Sequence, residues 1–139
     1  MSKDLIKKVK KILIYKYRLV ILIEGKSGCI NKFFKKQGIN IDASLDIYGA
    51  ATLTDSFIKI KGKKRDAVYL LFSLNNKITH GLIAHEARHA TNAILDYIGQ
   101  KLDPRNDECE AYLAGWVNDQ IYKVFRKNGL MEFIKHNNF

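Results

Sequence analysis

One long helical segment constrains the fold more than any other part of this sequence. It is predicted to begin between Asn76 and Thr79, because either side chain can accept a hydrogen bond from the free N–H groups of a first turn. It should end near Gly99, since glycine readily adopts the left-handed conformation that terminates many helices. Its apolar residues recur at helical spacing and predict one buried face: Ile83, Ala87, Ala90, Ile94 and Ile98.

The pattern upstream of this helix changes twice. Residues 4–17 place apolar side chains at helical spacing with lysines between them, which predicts an N-terminal basic helix. Residues 18–24 fit either a strand or a continuation of that helix. Between residues 39 and 74 the alternation of apolar and polar side chains predicts three strands, of which 67–74 is the most continuously apolar. These strands are expected to supply the sheet on which the long helix packs.

A second helix is predicted downstream. Aspartate followed by proline at 103–104 suits a helix start, and the Asn128-Gly129 pair suits its end. The elements together predict one domain over residues 1–139, of the α+β class, with a small, mainly antiparallel sheet packed on the two helices. A chain of 139 residues is long enough to bury its own core.

Composition limits the cellular setting. The longest apolar run, residues 19–23, is far shorter than the roughly 20 residues that span a bilayer, so no membrane partner is expected. Lys16 and Arg18 interrupt the only stretch that resembles a signal peptide. Cys29 and Cys109 match no disulfide or zinc-ribbon spacing, which favours reduced thiols in a cytosolic protein.

The net charge of +10 is concentrated at one end of the chain. Residues 1–36 hold eleven lysines and arginines against two acidic residues, a net +9, whereas residues 37–139 have a net charge of +1. Such a segment can dock on nucleic acid or on an acidic protein surface. The interpretation we favour is a solvated face, because the chain has 19 lysines and only 5 arginines, and arginine is the better bidentate phosphate ligand.

Inside the long helix, His85, Glu86 and His89 stand in the order H-E-x-x-H. Residues four apart lie on one face of a helix, so the two imidazoles can bind one metal ion. Glu86 lies about 100° around the helix from His85, where its carboxylate can reach a water on that ion without being a ligand. The pattern also recurs by chance, which leaves open a histidine pair satisfied by hydrogen bonds or by solvent.

A third ligand separates these interpretations, because catalytic zinc usually takes three protein ligands and leaves one position for water. Glu108, in the first turn of the second helix, is the preferred candidate, since small residues on its face of the helix allow close packing. Glu110 is the competitor, and its side chain points about 200° away around the helix. The two carboxylates cannot face the same ion.

At these residues the chain resembles the gluzincin metallopeptidases, in which H-E-x-x-H is followed by a ligating glutamate on a later helix. The segments IAHEARHA and NDECEAYLAGW are also similar to small H-E-x-x-H proteins of tailed bacteriophages. The resemblance covers about residues 79–117. It implies a zincin-like fold in which His85, His89 and Glu108 bind Zn2+ and Glu86 is the general base.

The implied activity is hydrolysis of a protein or peptide substrate in the host cytoplasm. The donors considered for the oxyanion are Tyr112, His80 and Arg88, and Tyr112 joins Glu86 in the expected catalytic set. The strand at 67–74 is the expected edge to which an extended substrate adds. The alternative is a phage virion or assembly protein that binds phage structural proteins through the same fold, with a vestigial or structural metal site.

Overall fold

The computed structural model describes residues 4–12, 16–42, 45, 49–101 and 103–136. The class is α+β as predicted, with three helices and a mainly antiparallel sheet within these residues. The elements in chain order are β1 (Leu5–Lys11), β2 (Tyr17–Glu24), α1 (Cys29–Gln37), β3 (Ala50–Ile60), β4 (Lys63–Ser73), β5 (Ile78–Thr79), α2 (His80–Tyr97), α3 (Glu108–Lys127), a 3-10 turn (Met131–Phe133) and β6 (Ile134–Lys135).

The main sheet has the strand order β1-β2-β4-β3. The outer pairs, β1–β2 and β3–β4, are antiparallel, and the central pair, β2–β4, is parallel. Strand β2 and the second half of β4, from Ala67 onward, are buried and almost entirely apolar because each face of the sheet is covered there. Leu19 and Ile21 face α2 and α3, whereas Val20 and Leu22 face α1. The fold therefore has three layers, with the long helices on one side and α1 on the other.

The predicted N-terminal helix is wrong for the part of the segment that the structure describes. Residues 5–11 form β1, which pairs with β2 from Leu5 opposite Glu24 to Lys11 opposite Arg18. Ile6, Val9 and Ile12 are spaced by three, which fits a helix, but in the structure Ile6 and Ile12 face one side of the sheet and Val9 the other. Both sides are covered, and β2 offers a long buried strand whose edge needs a partner. Lysines suit an edge strand, because they discourage pairing with a further strand. Residues 13–15 lie outside the described residues.

The predicted boundaries of the long helix are confirmed. Thr79 is its N-cap, with Oγ1 accepting a hydrogen bond from the backbone N–H of Leu82 at 3.0 Å. The helix ends at Tyr97, and Gly99 has the left-handed φ of 75° that the sequence predicts. Neither this helix nor any other described one combines the length and apolar character needed to cross a bilayer.

The second helix begins later than predicted and ends where predicted. The carboxylate of Asp103 accepts a hydrogen bond from the backbone N–H of Arg105 at 3.0 Å, which closes a turn instead of starting the helix. Helix α3 then starts at Glu108 and ends at Lys127, directly before the Asn128-Gly129 pair. The predicted strands upstream appear as two long strands, β3 and β4, of 11 residues each.

Candidate metal site

Helix α2 holds the two histidines of the H-E-x-x-H motif on its outer side. Its opposite face packs on the sheet through Ile83, Ala87 and Ala90, which are buried as the apolar spacing predicts. His85 and His89 consequently point away from the core and are exposed. The periodicity of the helix thus fixes both histidines on a surface that a ligand can reach.

The two imidazoles converge. The Nε2 atoms of His85 and His89 are 3.2 Å apart, and the rings are nearly perpendicular, with centroids 4.7 Å apart. Two nitrogen ligands that each lie 2.0–2.1 Å from a tetrahedral zinc ion are about 3.3 Å apart. The separation of the two nitrogens thus equals that of two ligands of one zinc ion, and it is also hydrogen-bond distance.

Glu86 is held beside this pair by the neighbouring strand. It is only 6% exposed, and its Oε2 accepts a hydrogen bond from the Thr52 hydroxyl of β3 at 2.7 Å. Its other oxygen, Oε1, lies 4.0 Å from His85 Nε2. One carboxylate oxygen is thus fixed by the sheet while the other faces the histidines. Sequence reasoning missed Thr52, because a threonine in an alternating strand carries no signal of its own.

An open cleft of about 550 Å3 separates β3 from α2 at this site. It carries three carboxylates and no lysine or arginine among its lining residues, which are Thr52, Thr54, Asp55, Glu86, His89, Asn92, Ala93 and Asp96. The strand that borders the cleft is β3, at the edge of the sheet. The expectation that residues 67–74 form this edge is wrong, because β4 lies between β2 and β3, where its apolar side chains are buried on both faces.

Two tyrosines stack next to the cleft between β3 and α2. Tyr17 and Tyr97 stack with ring centroids 4.1 Å apart. A neighbouring cavity is bordered by both rings together with Asp55, Asp66 and Asp96. Burial, with Asp55 and Asp66 adding to it, raises the pKa of Tyr17 to about 12. The neutral phenol is therefore favoured in the folded protein.

The first turn of α3 presents Glu110, rather than Glu108, to α2. Glu110 forms an ion pair with Arg88, and its side chain is largely buried. Glu108 is exposed and has no hydrogen bond or ion pair to another described residue. Arg88, considered above as an oxyanion donor, is thus engaged by an acid. Glu108 lies on another side of the helix, because residues two apart point about 200° away from each other.

The predicted oxyanion donors are spread over separate regions. Tyr112 is 77% exposed, and it lies one helical turn after Glu108. His80 is half-buried at the start of α2, where its Nδ1 lies 2.6 Å from the Tyr122 hydroxyl and its ring stacks on that phenol. Burial raises the pKa of Tyr122, so its hydroxyl stays protonated. The structure brings neither His80 nor Tyr112 into contact with the histidine pair.

No group of three or more His, Cys, Asp or Glu side chains within the described ranges is arranged to hold a metal ion. His85, Glu86 and His89 thus lie together in the structure. Glu108, the predicted third ligand, does not join them in a metal-binding group. Comparisons with protein-family models, curated proteins and solved structures find no match to this chain.

Proposed function

We propose that this chain is a zinc-dependent hydrolase of peptide bonds with a zincin-like arrangement, phage-encoded and acting in the host cytoplasm or on the virion. In this proposal His85 and His89 hold the ion, and Glu86 is the general base. The observation that carries it is the convergence of two imidazole nitrogens 3.2 Å apart beside a nearly buried carboxylate. The alternative is a histidine pair satisfied by solvent or by a hydrogen bond between its own two rings, which the same 3.2 Å separation allows, and the zinc measurement described below separates the two interpretations.

Zinc bound at such a site acts as a Lewis acid and lowers the pKa of a water molecule. The chain's own part is to accept and deliver the proton. Oε1 of Glu86 is the oxygen suited to take it, because Oε2 is already engaged by the Thr52 hydroxyl. Glu86 would then pass the proton to the departing amine, so it ends each cycle as a carboxylate.

The substrate in this proposal is an extended peptide. The outer edge of β3 has no strand beside it among the described residues, and it borders the cleft that leads to His89. Backbone groups at a free edge can bind an extended peptide by adding it to the sheet as another strand. A peptide bound there lies alongside Thr52 and Thr54, next to the general base.

The third ligand in this proposal comes from the first turn of α3. Glu108 remains the predicted ligand, and Glu110 is the alternative, because it already faces α2 through Arg88. The two can be separated by measuring zinc affinity in Glu108→Gln and Glu110→Gln variants. If Glu108 is the ligand, its variant should lose more than the roughly ten- to hundredfold in affinity that removal of an outer-shell partner costs, while Glu110→Gln stays near the wild type.

The hydrolytic proposal is tested by elemental analysis joined to a peptide-cleavage assay. Purified protein, loaded with zinc and dialysed, should retain one zinc per chain, and His89→Ala should retain none. Glu86→Gln should keep the zinc but lose cleavage of a fluorogenic peptide library, since only the base is removed. Wild-type protein that holds no zinc would overturn the proposal.

A second candidate is supported by the exposure of Glu108 and by the incomplete ligand group. It is a phage virion or assembly protein in which the same fold binds structural proteins. This candidate predicts that the protein sediments with phage particles and that Glu86→Gln supports particle assembly as well as the wild type does. Cleavage of a particle protein by the wild type, and not by Glu86→Gln, would exclude it.

A further inference from the structure

A second surface, unrelated to the histidine pair, gathers much of the excess positive charge. It is a groove of about 230 Å3 between β1 and α3. Five lysines and no Asp or Glu are found among its lining residues, and these lysines are Lys7, Lys8, Lys10, Lys123 and Lys127. Two distant parts of the sequence therefore contribute cations to one groove.

Four of these lysines form two rows that face one another. Side chains alternate along a strand, so Lys8 and Lys10 lie on the same face of β1 as Ile6, which packs in the core beneath α2 and α3. Lys7 lies on the other face, over the Phe33 ring of α1. Lys123 and Lys127 are one turn apart on α3 and form the opposite row.

The lysines of β1 have a simple structural explanation, because charged residues on an edge strand discourage pairing with other chains. That explanation does not extend to Lys123 and Lys127, which belong to a helix. Cations placed across a groove from one another repel, and the repulsion is relieved by an anion between them. The two rows together thus favour a polyanionic ligand.

Gln120 contributes a polar group to the same groove. It lies on α3 one turn before Val124, lines the groove, and is only 7% exposed. Its amide N–H groups can donate to an oxygen of a ligand in the groove.

We infer that this groove binds the sugar-phosphate backbone of double-stranded nucleic acid without reading its sequence. An acidic peptide is disfavoured, because acidic peptide motifs are recognised by arginine clusters and the basic residues that line the groove are all lysines. Other peptides bind through apolar anchor residues. The exposed large apolar side chains of the described chain, which are Ile41, Tyr97, Tyr112 and Met131, all lie outside this groove. Single strands are disfavoured, because their bases bind by stacking on aromatic rings and no aromatic residue lines the groove.

The test is binding of a fluorescent DNA duplex of arbitrary sequence, measured by polarisation at several salt concentrations. Four phosphate contacts predict that log K falls with log salt with a slope of about −3.6. The double variant Lys123→Gln/Lys127→Gln should reduce the slope to about −1.8, and at 0.1 M salt it should weaken binding by about 60-fold. Glutamine keeps the helix and removes only the charges.

The matched control is Lys32→Gln/Lys36→Gln. These two exposed lysines have the same four-residue spacing, but they lie on α1, across the sheet from the groove. Their loss lowers the net charge equally and should leave the slope near −3.6. Equal weakening by both double variants would show attraction to the overall charge and overturn the inference. Absence of duplex binding at low salt, tighter binding of a single strand, or stronger binding of polyglutamate would also overturn it.

Discussion

Replacing Thr52 by valine should destabilise the fold through Glu86. Valine keeps the shape and the strand preference of threonine, but it removes the hydroxyl that donates to Glu86 Oε2 at 2.7 Å. Because Glu86 is only 6% exposed, water can replace that donor only in part. Hydrogen bonds to charged groups contribute about 1.5–3 kcal/mol, so we expect the free energy of unfolding to fall by about 2 kcal/mol.

The measurement is urea unfolding followed by circular dichroism. With a slope of about 2 kcal/mol per molar urea, the midpoint should move down by about 1 M. Two variants provide the controls. Thr54→Val alters an exposed threonine on the same strand and should change stability by less than about 0.5 kcal/mol, whereas Thr52→Ser keeps the hydroxyl and should recover most of the loss. Equal effects of Thr52→Val and Thr54→Val would refute the reasoning.

Two further predictions concern stability. The raised pKa of Tyr17, about 12, means that the unfolded chain loses this proton near pH 10 while the folded chain keeps it. Stability present below pH 10 should therefore decline by about 2 kcal/mol as the pH rises to 12. Urea unfolding at pH 9 and pH 11 should show a smaller decline in Tyr17→Phe, and identical declines would contradict this. Gly49→Ala should cost about 1–3 kcal/mol, because the added Cβ would lie 2.6 Å from the Lys77 carbonyl oxygen. Gly115→Ala, which meets nothing within 4 Å on α3, should instead stabilise by about 0.5–1 kcal/mol, and calorimetry that ranks the two the other way would refute both.

Features that depend on nearby residues could be predicted from the sequence. The caps of α2 lie within the segment itself, at Thr79 and Gly99, and the structure has both. The shared face of His85 and His89 follows from helical geometry alone. These parts of the site required no knowledge of the rest of the chain.

Features that depend on distant partners could not be predicted. Whether Glu108 or Glu110 faces α2 is decided by Arg88, a residue of another helix. The orientation of Glu86 depends on Thr52, which is 34 residues away in the sequence. The segment that forms β1 has the apolar spacing of a helix, and its pairing with β2 makes it a strand in spite of that pattern.

The parallel pairing of β2 with β4 has a consequence for the order in which the chain folds. Tyr17 pairs with Asp66, 49 residues later, whereas Lys11 pairs with Arg18 and Ile60 pairs with Lys63. Closing a loop of that length costs about 3.4 kcal/mol of chain entropy beyond a constant, and the two hairpins close at far less cost. The two hairpins can therefore close before the β2–β4 pairing, which carries the largest entropy cost of the three.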